Sequence, residues 1–209
     1  MNNAMEILRL FVSATRDLEE DRAVIAQALA ELPVKVGAEI RRTPVGGLKY
    51  DDLYETIANV DRVYFLMGRD ITAPAGAEWD LAWKLERRIL PLRTPGPRSP
   101  AGERFLRFLP MGWITFWNRA ELSHVILLDL VELLLHPENR YGLTMVEQER
   151  LLRLHRRLGE QRAAASASSG KKEETILGAA EGGMAGGGVL LDDGRRKRED
   201  VGDGLLGAE

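Results

Sequence analysis

The chain alternates between short apolar runs and longer stretches in which apolar residues recur at helical spacing. Runs rich in β-branched and aromatic residues predict buried strands, and a period near 3.6 predicts amphipathic helices. The predicted strands are residues 7–12, 34–40, 62–68, 89–92 and 113–117. The predicted helices are residues 17–32, 50–59, 75–88, 99–109 and 120–135. This alternation with short connections predicts a mostly parallel sheet that helices cover on both faces.

Right-handed crossovers leave few ways to order five parallel strands. We therefore predict an α/β fold with a flavodoxin-like five-stranded sheet of order 2-1-3-4-5 in residues 5–137. Residues 138–162 are predicted to form a C-terminal amphipathic helix with Leu151, Leu154 and Leu158 along one side. Two alternatives stay open for that helix, because its apolar side can pack on the sheet domain or on a partner helix.

The composition changes abruptly at Ala163. An Ala- and Ser-rich run indicates a flexible linker, and the Gly-rich remainder has little to bury, so residues 163–209 are predicted to be a linker and a weakly ordered tail. Residues 189–191 followed by Asp-Asp-Gly could turn into a small hairpin.

Several helix starts have recognisable caps in the sequence. Asp17 with Glu20, Asn118 with Glu121, and Thr144 with Glu147 have the spacing of capping boxes. The pair Ser99-Pro100 combines a capping hydroxyl with proline at the first helical position.

The composition of the chain excludes several classes of function. The 209 residues are 44% hydrophobic and 29% charged, with a net charge of −3, so we expect no nucleic-acid partner. The absence of cysteine excludes disulfides, zinc–thiolate sites and thiol catalysis. Because no basic-then-apolar leader and no membrane-spanning apolar run is present, we expect a cytoplasmic protein without a membrane partner.

One residue breaks the pattern of the third predicted helix. At helical spacing Glu78 shares a face with Leu81, Ala82 and Leu85, the face that covers the sheet. A carboxylate there lies just beyond the carboxyl end of a strand, where open α/β sheets bind ligands. The alternative is an acid placed to complement the helix dipole.

Other polar residues follow the predicted strands and would meet Glu78 at one edge of the sheet. These residues are Ser13, Thr15, Arg16, Arg41, Arg42, Thr43, Arg69, Asp70, Arg93 and Arg98. Arginines, small hydroxyls and a carboxylate together suit a sugar-phosphate ligand. Helix capping for the hydroxyls and solvation for the arginines remain the alternatives. We expect no metal site, since the three histidines lie on separate late helices, and no phosphate-binding glycine motif is present.

Residues 11–22 read Phe-Val-Ser-Ala-Thr-Arg-Asp-Leu-Glu-Glu-Asp-Arg, which resembles the opening of bacterial TIR-like domains. Residues 57–68 and the segment from Gly76 to Leu92 continue the resemblance, which covers roughly residues 8–135. The same layout is shared by nucleoside 2-deoxyribosyltransferases. These enzymes cleave N-glycosidic bonds of NAD or nucleosides with the carboxylate that opens this helix, the position of Glu78. The transferases also carry an aspartate shortly before it, for which Asp70 is the nearest substitute.

The resemblance implies a TIR-like effector or signalling domain of bacterial defence or regulation. NAD or a nucleotide would be its substrate or ligand, with no resident cofactor. Glu78 and Asp70 would be catalytic, and the ligand-binding candidates are Ser13, Thr15, Arg16, Arg41, Arg69, Trp79 and Arg93. The resemblance also implies a homo-oligomer, while the C-terminal helix and tail are candidates for a protein partner. The alternative is a non-catalytic module that senses a nucleotide or serves as a scaffold.

Overall fold

The structure is a computed structural model. It describes residues 6–109, 112–137 and 141–180, with side chains as far as residue 164. The chain divides into two units, Met1–Ala164 and Ala165–Glu209.

Five parallel strands form one sheet in the order β2-β1-β3-β4-β5, as predicted. This is the order of a flavodoxin-like doubly wound sheet. In the central pair, Leu10 of β1 lies opposite Arg62 of β3, and Ser13 lies opposite Phe65. The strands are β1 Leu8–Ala14, β2 Ala38–Arg41, β3 Arg62–Met67, β4 Ile89–Arg93 and β5 Ile114–Thr115.

The described residues contain six α-helices. They are α1 Ala23–Ala30, α2 Tyr50–Ala58, α3 Ala75–Lys84, α4 Pro100–Phe108, α5 Arg119–Leu135 and α6 Met145–Ala180. Side chains of α1, α5 and α6 share one apolar core with the sheet face that carries Leu10 and Tyr64. Side chains of α2, α3 and α4 pack on the opposite face, against Phe11, Phe65 and Met67. Within this layer α3 shares one cluster with α2 and another with α4, so α3 lies between them.

The predicted capping boxes have different outcomes. The Thr144–Glu147 box is confirmed in full, since each residue caps the other's backbone N–H. Asn118 accepts from the Glu121 N–H as predicted, while the Glu121 carboxylate accepts from the N–H of Trp117. The Asp17–Glu20 box is wrong. Two short 3₁₀ turns, Arg16–Leu18 and Glu20–Arg22, precede α1, because the Asp17 carboxylate accepts from groups outside its own turn.

Several predicted boundaries shift for local reasons. Strand β2 begins four residues later than predicted, since Val34 and Val36 pack on the core without joining the ladder. Helix α3 ends at Lys84 because Glu86 adopts a positive φ of 52° and the Arg87 N–H folds back onto the Ala82 carbonyl. Strand β5 is limited to two residues.

The structure shows which surface the apolar side of the C-terminal helix packs against. Leu151 and Leu158 are buried in the core that α1 and α5 share, so the amphipathic part of α6 docks on the sheet domain. The helix continues to Ala180, past its predicted end near Gln161, in keeping with the high helix propensity of alanine, lysine and glutamate. The predicted hairpin at residues 189–194 lies outside the described residues. In the described part of the chain, no helix combines the length and apolarity needed to cross a membrane.

A buried polar group ties β3 to α5. The Arg62 guanidinium pairs with both oxygens of Asp129, and the buried Tyr64 hydroxyl donates to the same carboxylate at 2.9 Å. Burial, reinforced by the negative charge of Asp129, raises the pKa of Tyr64 well above 10.0. Hydrogen bonds among Arg62, Tyr64 and Asp129 offset the cost of burying these polar side chains. The same bonds fix the register of α5 on the sheet.

We expect Tyr64→Phe to lower the free energy of unfolding by about 2 kcal/mol at neutral pH, because it removes a hydrogen bond to a charged acceptor. Above pH 10.0, the ordinary value, the unfolded chain releases the Tyr64 proton before the folded chain does. Wild type therefore loses stability as pH rises through this range, and the difference from Tyr64→Phe shrinks. Denaturant unfolding at several pH values measures both effects, with the exposed Tyr54→Phe as the matched control. A difference that grows with pH would contradict the assignment.

Candidate functional site

The candidate site lies where β1 and β3 end. In the order 2-1-3-4-5 the chain turns to opposite sides of the sheet after these two strands, and doubly wound folds bind ligands in the resulting crevice. Here the loop after β1 and the loop after β3 face each other and are joined by side-chain hydrogen bonds. Residues from both loops, from α3 and from the start of α4 build the site.

Thr15 and Asp17 occupy this crevice themselves. The Thr15 hydroxyl accepts from the N–H of Gly68 at 2.9 Å and donates to the Asp17 carboxylate at 2.6 Å. The same carboxylate accepts from the N–H of Arg69 at 2.7 Å. The two N–H groups that follow β3 are thus both satisfied by side chains from the β1 loop. The arrangement gives both side chains a structural role at the end of the sheet.

Gly68 is required by this arrangement. A Cβ on Gly68 would overlap the carboxylate of Asp17. Only a residue without a side chain lets the carboxylate approach the backbone this closely. Sequence reasoning missed Gly68, although a glycine directly after a buried strand is a signal of close approach.

Glu78 is buried on the first turn of α3, with 1% of its surface exposed. Ser13, which is 0% exposed and points to the same sheet face as Phe11, donates its hydroxyl to Oε2 of Glu78. Within the described residues Oε1 of Glu78 has no hydrogen-bond partner. The prediction that Glu78 faces the sheet beside Leu81 and Ala82 is confirmed, since all three are buried. A buried carboxyl with one unsatisfied oxygen is costly to the fold, so it is the most unusual group of the site.

Asp70 and Ser99 link the loop before α3 to the start of α4. Ser99 donates its hydroxyl to the Asp70 carboxylate and accepts from the N–H of Gly102 at 3.0 Å, which caps α4 as predicted. The N–H of Ser99 donates to the Arg69 carbonyl at 3.0 Å. A Cβ on Gly102 would lie 2.9 Å from that carbonyl, so α4 begins in close contact with the β3 loop.

A cavity of about 300 Å³ opens at the carboxyl ends of β3 and β4. Arg69 and Arg98 line it together with Asp17, Gly68 and residues 94–97. The Arg98 guanidinium bonds to the carbonyls of Thr94 and Gly96, which holds the loop in place. The Arg69 side chain is exposed. The cavity is at the lower end of the range for small-ligand sites and presents two guanidinium groups.

The remaining predicted residues are dispersed. Arg16 is exposed, and Arg41 makes two hydrogen bonds of 2.9 Å to Glu39 on its own strand. Arg93 donates to the Thr115 hydroxyl at 3.1 Å. The Trp79 ring stacks on Trp113 at 5.5 Å and lies in an aromatic cluster with Phe65 and Phe105. The structure thus brings together Ser13 with Glu78, and Thr15 with the backbone of Gly68 next to Arg69, but not Arg41 or Arg93 with them.

Arg22 is a structural residue that sequence reasoning left without a role. Its guanidinium donates to the Val12 carbonyl at 3.0 Å and to the Ala14 carbonyl at 3.4 Å. It also pairs with Glu19 at 3.0 Å. Arg22 ends the segment that resembles TIR-like domains, but the sequence did not indicate its role, because its partners are backbone oxygens. Within the described residues, no cluster of three or more histidine, aspartate or glutamate side chains is placed to hold a metal ion.

Comparisons with known proteins add little to this geometry. No protein-family model matches the chain. No curated protein matches it either. Among solved structures, the chain is similar to a flavodoxin-like domain from Synechococcus sp., with 10% identity and a TM-score of 0.35. That match covers 77% of this chain and 99% of the other. The flavodoxin-like fold therefore rests on the strand order, and these comparisons leave the function open.

We expect Gly68→Ala to destabilise the protein by about 1–3 kcal/mol or more, because the added methyl displaces the Asp17 carboxylate and uncaps the Arg69 N–H. Thermal or denaturant unfolding measures the loss. Gly46→Ala is the matched control, since nothing lies within 4 Å of a Cβ at that position. Equal stability of the two variants would show that the Asp17 contact with the strand end is not formed.

We expect Ser13→Ala to lower the free energy of unfolding by about 1–3 kcal/mol, since it removes the hydroxyl that donates to the buried Glu78 carboxyl. The double variant Ser13→Ala/Glu78→Met removes donor and carboxyl together and should recover most of that loss. A double-mutant cycle in urea measures the coupling. Additive effects of the two substitutions would mean that Ser13 and Glu78 do not interact.

Proposed function

We propose that this chain is a TIR-like effector or signalling domain that takes a nucleotide-type ligand at the carboxyl edge of its sheet and cleaves the N-glycosidic bond with Glu78. One observation carries the proposal. Glu78 is buried at the first turn of α3, held through Oε2 by Ser13, with Oε1 unsatisfied. Carboxyl groups with a shifted pKa or an unsatisfied oxygen are concentrated at functional sites. Burying such a group lowers the stability of the fold, but catalysis needs it there.

The chemistry fits a single carboxylate. When the base or nicotinamide leaves, the C–N bond breaks and its electron pair departs with the leaving group. The ribose is left as an oxocarbenium-like cation, which the free oxygen of Glu78 would stabilise electrostatically or trap covalently. Water then adds to the same carbon, displacing the Glu78 oxygen where an ester has formed, and the proton that water loses goes to solvent or to the departed base. Ser13 would hold the carboxyl in one orientation throughout.

The arginines of the β3–β4 cavity would bind the phosphate groups of such a ligand. Arg69 and Arg98 line this cavity, and guanidinium groups match phosphate oxygens in charge and geometry. Glu78 does not line this cavity. In this proposal the ligand reaches the carboxyl by displacing part of residues 69–74, which lead from β3 to α3.

The second candidate function is a nucleotide-sensing module without turnover. The same burial of Glu78 favours it, because a ligand can occupy the cavity beside Arg69 without touching the carboxyl. In this case Glu78 would serve only the packing of α3 on β1. The two candidates share a ligand class and differ in whether a bond is broken.

We expect the purified chain to release nicotinamide from NAD, and Glu78→Gln to reduce that release by at least about a hundredfold. Glu31→Gln, an exposed acid at the end of α1, is the matched control and should leave the rate unchanged. Arg69→Ala should raise KM, because it removes a phosphate contact. Nicotinamide release is followed by chromatography, over a range of protein concentrations.

The same samples separate the two candidates. Stabilisation of the chain by NAD or nucleotides without nicotinamide release, and its loss in Arg69→Ala, would support the sensing module and overturn the enzyme. Equal release by wild type and Glu78→Gln would overturn the catalytic role of Glu78. Neither release nor stabilisation with NAD, nucleotides or nucleosides would overturn both candidates.

A further inference from the structure

The outer surface of the α2–α3–α4 layer carries exposed aromatic side chains that the candidate site does not use. Trp83 is 51% exposed and Phe108 is 71% exposed, while Tyr50 and Tyr54 are 66% and 44% exposed. Large exposed aromatics close together are typical of interaction surfaces, since burying them from water is favourable. These four side chains belong to two surface features of opposite charge.

The first feature is the α3–α4 groove, defined by Trp79, Trp83, Phe105 and Phe108, with Asp80 and Arg104 at its sides. Its volume is about 450 Å³, enough to admit an aromatic side chain. Asp80 is already paired with Lys84 at 2.6 Å. Arg104 lies 5.4 Å above the Phe108 ring, and the described part of the chain offers it no ion-pair partner. The groove therefore presents aromatic walls and an unneutralised guanidinium.

The second feature is the α2 stripe, defined by Tyr50, Asp51, Tyr54 and Glu55. The two tyrosines are four residues apart and share one helix face, and the two acids form the adjoining row at the same spacing. Tyr50–Ala58 contains three acidic residues and no basic one, whereas α4 carries Arg104 and Arg107 against Glu103. All four side chains of the stripe are exposed. An acidic stripe with protruding tyrosines is complementary to an aromatic groove with a free arginine.

We propose that the α2 stripe of one copy of this chain docks in the α3–α4 groove of a second copy. Tyr50 and Tyr54 would lie between Trp83 and Phe108, and the acids of the stripe would pair with Arg104 and Arg107. Two α3–α4 grooves would form a weaker contact with each other, because that arrangement would bring the basic faces of two α4 helices together.

The order of the helices makes the contact reciprocal. Helix α3 lies between α2 and α4, so stripe and groove flank the same helix. A two-fold axis that runs along the outer side of α3, between the two copies, would place the stripe of each copy on the groove of the other. The contact then forms twice in a closed dimer, which is the commonest symmetry of soluble oligomers.

Sedimentation velocity of the full chain over a wide concentration range tests the assembly. We expect a monomer–dimer equilibrium that saturates at two copies and weakens as salt rises, because part of the contact is ionic. Arg104→Glu/Arg107→Glu and Asp51→Lys/Glu55→Lys should each raise the dissociation constant at least tenfold, since each places like charges in both contacts. Phe108→Asp should do the same by removing an aromatic wall.

Mixing the two charge-reversed variants gives the sharpest result. Each variant alone is expected to dimerise at least tenfold more weakly than wild type, but a one-to-one mixture should dimerise with an affinity near that of wild type. In the mixed dimer one contact is native and the other is reversed in both partners, so opposite charges meet in each. A dimer through any other surface would not show this rescue.

The matched control is Lys35→Glu, an exposed charge reversal after α1, outside the α2–α3–α4 layer, which should leave the dissociation constant unchanged. Circular dichroism of every variant confirms that the fold is retained. A wild-type chain that stays monomeric at all concentrations would overturn the proposal. So would a species larger than two copies, or a dimer that the three variants leave intact.

Discussion

The carboxylate of Asp17 against the backbone of Gly68 is the contact on which the site depends. Strands β1 and β3 are neighbours in the sheet, but the ladder ends at Ala14 and Leu66, and the N–H groups of Gly68 and Arg69 lie beyond it. Thr15 and Asp17 satisfy those two groups and so extend the pairing of the two strands by side chains. Arg22 holds the carbonyls of Val12 and Ala14 from the other side. The end of β1 is therefore fixed at the point from which Ser13 reaches Glu78.

This frame also explains why a buried carboxyl can persist on α3. Ser13 satisfies one oxygen, which limits the cost of burial to the other oxygen, the one without a partner among the described residues. The arrangement costs stability that the rigid strand end must offset, and natural proteins commonly tolerate such a cost where activity needs it. A neutral apolar residue at position 78 would pack on the sheet more simply.

The fold could be predicted from the sequence because strand and helix periodicities are local properties. The five apolar runs and the short connections between them were enough for the strand order 2-1-3-4-5. The burial of Glu78 followed from the same periodicity. The partners of Asp17 and Arg22 could not be predicted, since they are backbone groups of other segments, which leave no residue-specific pattern. The positive φ at Glu86 was equally hidden, because glycine usually marks such a position.

Ser99 gives the molecule a link between two of its surfaces. Its hydroxyl serves the Asp70 carboxylate and the first turn of α4 at once. Any displacement of residues 69–74 toward solvent stretches the first of these bonds and so weakens the helix cap that depends on it. Helix α4 in turn supplies one wall of the α3–α4 groove. Under the proposed function, ligand binding at the strand ends would thus be thermodynamically coupled to binding at the α3–α4 groove, and by reciprocity a partner that immobilises α4 would make the crevice harder to open.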